Sequence, residues 1–207
     1  RAKGSHDLIL SYFSNHQADI LVGTQMLAKG LDLPLVTLVG IVLADAGLNF
    51  PDYRTTERGY QLLTQVAGRA GRSPLGGQVI LQTFDPSQPA IQAAARHDFM
   101  QFYREEIQAR KRLGYPPFNR LVRLEYRHLN ESKAQQEARQ AAEKIRVWIA
   151  EGNYSATDLI GPVPCYFARV NGMYRWQVIL RGPNPVEILR EHPLADWRIE
   201  VDPPNLL

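Results

Sequence analysis

The apolar run Leu35-Val36-Thr37-Leu38-Val39-Gly40-Ile41-Val42-Leu43-Ala44 constrains this chain more than any other stretch. It does not alternate, so a strand built from it carries large side chains on both faces, and both faces need cover. It falls far short of the roughly 20 apolar residues that a membrane helix needs. A shorter run, Asp19-Ile20-Leu21-Val22-Gly23, and a later one over 78–84 read the same way. Between the last two runs, Thr55-Thr56-Glu57 predicts the start of a helix, with a hydroxyl cap and an acid in its first turn, running to about Ala70. A further helix is expected over 4–14. Buried strands alternating with helices predict a parallel α/β sheet over residues 1–88.

Asp85-Pro86-Ser87-Gln88-Pro89 interrupts that pattern. One helix is expected next, with Ile91, Ala95, Phe99, Phe102 and Ile107 on one stripe. It ends in Arg110-Lys111-Arg112, which suits the helix dipole, and Gly114 stops it. Residues 89–117 thus form a connecting helix and a rigid Tyr115-Pro116-Pro117 linker. Beyond it the order changes. Residues 119–128 alternate as a strand, and Ser132-x-x-Gln135 reads as a capping box opening a helix to about Ala150, closed by Gly152. Strands over 158–169 and 174–181 flank the hairpin turn Val170-Asn171-Gly172-Met173. A short helix over 185–191 and a strand over 197–202 complete a β-α-β-β-α-β order, the ferredoxin-like split unit, over 118–207.

Charge is uneven. Residues 1–88 carry 7 basic and 7 acidic residues, whereas 104–127 carries seven basic residues against Glu105, Glu106 and Glu125. Such a local excess serves phosphate contacts or is a solvated face. The single cysteine, Cys165, excludes an internal disulfide and a cysteine-based zinc site; it reads as a buried thiol in a reducing cytosol. The start, Arg1-Ala2-Lys3-Gly4-Ser5, shows neither an initiator Met nor a signal segment, and reads as a chain beginning inside something larger.

Two strings carry chemistry. Gln65-Val66-Ala67-Gly68-Arg69-Ala70-Gly71-Arg72 lies at the end of an expected helix. A glycine inside a helix costs about 1 kcal/mol relative to alanine, so two of them three apart need a reason, such as close approach of a backbone or a ligand. Arg69 and Arg72 share one side, where two guanidiniums could clamp an anion or simply end the helix. The second string, Gly23-Thr24-Gln25-Met26-Leu27-Ala28-Lys29-Gly30-Leu31-Asp32, begins where a buried strand is expected to end. Ligands bind beyond the carboxyl ends of parallel strands, and Thr24, Gln25, Lys29 and Asp32 would supply polar groups there.

In this order, about 40 residues apart, the strings resemble motifs V and VI of superfamily 2 helicases. With Asp52-Tyr53-Arg54-Thr55-Thr56-Glu57-Arg58, Tyr115-Pro116-Pro117-Phe118, Gly161-Pro162-Val163-Pro164, Tyr174-Arg175-Trp176-Gln177 and Val201-Asp202-Pro203, they resemble one family closely. That family is the PriA replication-restart helicases. The resemblance implies that residues 1–88 are the C-terminal half of the second RecA-like lobe of an ATP-dependent DNA helicase, followed by a PriA-type α+β domain. It implies that Arg69 and Arg72 reach the γ-phosphate of ATP with Mg, with Arg72 as arginine finger and Gln65 placing the attacking water or coupling it to DNA. Gly30 and Asp32 would lie near the ribose. Thr24, Gln25 and Lys29 would touch the DNA backbone or relay the nucleotide state to it, and Arg54 would touch DNA, as would Tyr174 and Arg175 of the last domain, where Arg175 is expected at the surface.

The implied partners are single-stranded and branched DNA, single-stranded DNA-binding protein and other primosome proteins, with a partner contact sought around Pro185 and Leu189. The chain has no Gly-x-x-x-x-Gly-Lys-Ser/Thr phosphate loop, no Asp-Glu-x-His-type acid pair, and none of the family's zinc-binding cysteine clusters. By itself it is therefore expected to hydrolyse no ATP and to bind no structural zinc. The alternative is a stand-alone DNA- or protein-binding module that keeps an idle helicase lobe.

Overall fold

The computed structural model describes residues 5–25, 33, 35–70 and 76–207, without the side chains of Ser5, His6 and Arg69. The chain divides into two units: Arg1–Asn49 with Thr56–Phe102, and Phe50–Thr55 with Tyr103–Leu207. Among the described residues, no helix is long and apolar enough to cross a membrane.

The first unit contains α1 (Ser5–Ser14), β1 (Leu38–Ile41), most of α2 (Thr55–Ala70), β2 (Gln78–Leu81) and α3 (Pro89–Ala95). It also holds the opening residues of α4 (Phe99–Leu113). β1 and β2 pair in parallel, from Leu38 opposite Gln78 to Ile41 opposite Leu81. Both strands are shorter than the apolar runs that contain them. The strand expected over 19–23 is not formed: that stretch has no ladder partner among the described residues, and Ile20 and Val22 are 79% and 88% exposed. A hydrophobic run becomes a strand only where a neighbouring strand satisfies its backbone.

Tyr60 and Leu63 of α2 pack with Ala44, Ala90, Ile91, Ala93, Ala94 and Phe102 in one core. The Tyr60 and Phe102 rings stack at 4.1 Å. The Asp45 carboxylate, buried in the turn after β1, accepts from Thr83 Oγ1 at 2.8 Å and Phe84 N at 3.0 Å, tying that turn to the end of β2. These bonds, the Phe84 amide first, hold its pKa below the usual carboxylate value.

The single helix expected after Pro89 is two. Gln88 caps α3 through its side-chain oxygen, and His97 then adopts a left-handed φ of 53°. Asp98 accepts from Gln101 N at 2.8 Å and so offers a new cap to α4. The expected stripe is divided accordingly: Ile91 and Phe102 are buried, while Ala95 and Phe99 are exposed.

The second unit is built on β3 (Arg120–His128), α5 (Glu131–Glu151), β4 (Asp158–Val170), β5 (Met173–Gly182), α6 (Pro185–Glu191) and β6 (Arg198–Val201). The sheet order β4-β5-β3-β6, antiparallel throughout, is that of the ferredoxin-like split unit. Asn171 (φ 50°) and Gly172 (φ 80°) give the two left-handed residues that a tight hairpin needs between β4 and β5. α5 is capped by Asn130, whose side chain accepts from Lys133 N at 3.0 Å, and not by Ser132. Either residue has a suitable oxygen; the one at the end of β3 meets the helix first.

Along β3 the two faces separate. Val122 and Leu124 join Val178, Leu180, Ala142, Ile145 and Leu189 under the helices. The alanines of α5 at 134, 138, 141 and 142 let the helix lie close on the sheet. Each large apolar side chain removed from water here is worth roughly 1.5–3 kcal/mol. On the other face, Leu121 and Ile179 pack with Leu206, Tyr53 and Tyr115, and Arg123, Glu125 and Arg127 follow at alternate positions.

Candidate nucleotide and nucleic-acid site

The roll of α2 is set by its core residues. With Tyr60, Leu63 and Ala70 buried, Gln61, Gln65 and Gly68 fall on the exposed face. A Cβ added at Gly68 would meet nothing within 4 Å, so packing against a described part of this chain does not account for that glycine. What remains is an open helix face bearing Gln65, suited to something outside the described residues. The Arg69 side chain lies outside those residues, as do Arg72, Lys29, Gly30 and Asp32. Thr24 and Gln25 are described and exposed. They follow an irregular segment and not the end of a strand, which removes the strand-edge argument for them.

Arg54 belongs to a short segment anchored in the second unit. Its guanidinium lies 5.3 Å from the Tyr53 ring, which stacks on Tyr115 at 5.5 Å and also lies under Arg110 at 5.6 Å. Tyr53 Oη donates to Pro203 O at 3.4 Å, and Asp52 Oδ2 accepts from Leu206 N at 3.1 Å. The Thr55 hydroxyl donates to Phe50 O at 2.9 Å, so it braces this segment where a helix cap was expected.

Arg175 overturns its expected surface position. Its guanidinium is buried and forks onto Glu125, with Nε to Oε1 at 2.8 Å and Nη2 to Oε2 at 2.9 Å. Arg127 stands directly across the ladder from Arg175 and also donates to Glu125. Two arginines face to face repel one another; Glu125 between them reverses the sign. Burial pushes the Glu125 pKa up, but hydrogen bonds from Arg175 and Arg127 more than offset it, and the carboxyl is brought down to about 2. The same cluster borders Cys165, a buried thiol whose pKa is raised by burial.

Tyr174, the neighbour of Arg175, projects to the opposite face and lies under the Arg169 guanidinium at 5.0 Å, beside the hairpin turn. Trp176 is half-buried, across the ladder from Tyr126. Arg181, at the far end of β5, pairs with Asp158 at 2.8 Å and donates to Leu113 O at 2.6 Å, closing the end of α4. Pro185 and Leu189 are buried against the sheet, so neither offers the exposed contact sought there. Sequence reading passed over the spacing Arg123-x-Glu125-x-Arg127. Charges at alternate positions of a strand share one face, and that signal pointed to a polar cluster on the sheet.

Two family models match the chain: the helicase conserved C-terminal domain over residues 2–74 and the primosomal protein N C-terminal domain over residues 111–204. Several curated relatives carry the name replication restart protein PriA. That of Bacillus subtilis is 43% identical over 207 residues, 99% of this chain and 25% of its own length. That of Synechocystis sp. is 43% identical over 189 residues, 91% of this chain and 22% of its own length. That of Haemophilus influenzae is 34% identical over 217 residues, 99% of this chain and 29% of its own length. The chain therefore spans about a quarter of the length of these relatives.

Proposed function

As the chain belongs to the PriA replication-restart family, we propose that it supplies the C-terminal part of an ATP-dependent DNA helicase that remodels stalled or branched forks and starts primosome assembly. The observation that carries this reading is the exposed face of α2, where Gln65 and Gly68 open the string that continues to Arg72. ATP and Mg are bound mainly by a lobe bearing a phosphate loop; this chain contributes Arg69 and Arg72 to the γ-phosphate. Arginine donors stabilise the charge that develops on the transferred phosphoryl group, so their effect falls on turnover. Gln65 orients the attacking water, and Gly30 and Asp32 approach the ribose. Thr24, Gln25, Lys29 and Arg54 serve the DNA strand, as does Tyr174 with Arg169 beside the hairpin. Single-stranded and branched DNA, single-stranded DNA-binding protein and other primosome proteins are the partners.

The test compares ATP hydrolysis by this chain alone and by the same chain joined to a lobe with a phosphate-loop lysine. No turnover from the chain alone, and strand-dependent turnover from the joined protein, is the expected result. Turnover by the chain alone, or none from the joined protein, overturns the reading.

A further inference from the structure

On the face of the second sheet away from the helices, Arg123, Glu125, Arg175, Arg198 and Glu200 line a cavity of about 300 Å³. With Arg127, its side chains form one connected cluster in which four guanidiniums meet two carboxylates. Glu125 is saturated: Oε1 accepts from Arg127 and Arg175, and Oε2 from Arg123 and Arg175. Arg123 is 4% exposed, yet its Nε finds no acceptor among the described residues. A buried charged donor without an acceptor is costly. The cavity is thus lined by three guanidiniums against two carboxylates, a surplus of positive charge; the unpartnered Arg123 Nε lies sealed behind it. An anion with several acceptor oxygens balances that surplus, and arginine suits phosphate in this respect.

The middle of β4 lies against the same arginines. Cys165 Sγ is 3.6 Å from Arg123 Nη2, and Phe167 O accepts from Arg175 Nη1 at 3.3 Å. The ladder is irregular between Pro164 and Arg169, and Tyr166 and Phe167 are 50% and 55% exposed there. Phe50 sets its ring edge-on to Tyr166 at 6.0 Å. Exposed rings beside a cationic cavity are the pairing that holds single strands: bases stack on rings while cations take the phosphates.

We propose that this cavity is a phosphate pocket that holds a backbone phosphate of single-stranded DNA, with the neighbouring bases on Tyr166 and Phe167. The proposal rests on the DNA role given above and names a binding place for the strand. Arg198, more than half exposed at the rim and paired with Glu200, is the residue to change while the buried Glu125–Arg175 fork keeps its partners.

Binding of a fluorescent oligothymidylate to the full chain is followed by anisotropy over a range of salt concentrations. In parallel, thermal unfolding is followed in inorganic phosphate and in chloride of equal ionic strength. Arg198→Ala is expected to lower the slope of log K against log salt by about 0.7, the value for one phosphate contact on a single strand. Tyr166→Ala is expected to weaken binding about tenfold while keeping the slope. Arg190→Ala, an exposed change on α6, is the control and leaves both unchanged.

Equal slopes for the parent and Arg198→Ala, with binding retained, overturn the pocket and leave the DNA role standing. Stabilisation by phosphate that depends on Arg198, with equal DNA slopes, makes the cavity a site for free phosphate and overturns its use by the strand. No binding of the oligonucleotide by the parent chain overturns the strand assignment together with the contribution of this chain to DNA binding.

Discussion

In the second unit Leu121, Val122, Leu124, Val178 and Leu180 are fully buried, whereas in the first Leu38 and Ile80 are 56% and 61% exposed, although they come from runs at least as apolar. The second sheet has α5 and α6 on one face and, on the other, Tyr53, Tyr115, Leu206 and a cluster of arginines held by Glu125 and Glu200. Among the described residues the first sheet has two strands, and its Ile41 and Leu81 pack against the core that α2 and α3 build. A non-alternating apolar run states that both faces need cover. It does not state which part of a protein supplies the cover, and the two units answer that differently.

The comparison can be broken at its strongest point first. Glu125→Ala leaves the buried Arg123 and Arg175 guanidiniums without their carboxylate and is expected to cost about 3–5 kcal/mol. Because the folded pKa of Glu125 is lowered to about 2 from 4.5, its contribution is fully present above about pH 5 and is lost as pH falls towards 2. Urea unfolding at pH 6 and at pH 3 checks this: the advantage of the parent over Glu125→Gln shrinks at the lower pH. An advantage that grows on acidification contradicts the ion cluster.

Leu180→Ala comes next, at about 3 kcal/mol, since a fully buried leucine leaves a cavity that its neighbours fill only in part. Ile80→Ala sharpens the contrast from the other side and is expected to change stability by no more than about 0.5 kcal/mol. The three tryptophans, Trp148, Trp176 and Trp197, all lie in the second unit, so their fluorescence follows that unit alone. Amide exchange across β1 and β2 reads the first. A large effect of Ile80→Ala on that exchange would mean that the first sheet is better covered than its exposure indicates.

The second unit was the more legible in sequence, for physical reasons. Its first strand alternates, its hairpin is marked by Asn171-Gly172, and its short α6 begins at Pro185, so the β-α-β-β-α-β order follows from local signals. The errors lie where two local signals compete. Asn130 and Ser132 both offer a cap oxygen two residues apart, and the stripe from Ile91 to Ile107 continues in register across the break that Asp98 makes.

The burial of Arg175 could not come from β5 alone, because its partner Glu125 lies 50 residues away on β3. In the first unit the apolar run over 19–23 looked like the others, but strand formation depends on a neighbour that no local pattern identifies. For the candidate site, sequence gave the order and spacing of the two strings, and the structure adds that α2 turns Gln65 and Gly68 to its open face.

The most direct measurement is DNA-stimulated ATP hydrolysis by a protein carrying the complete motor, with Arg72→Ala compared with the parent. The account predicts a loss of turnover of at least about a thousandfold, the scale of a missing arginine finger, with single-strand affinity kept within about twofold. Turnover equal to the parent would contradict the assignment of this chain to the phosphate-facing side of the motor.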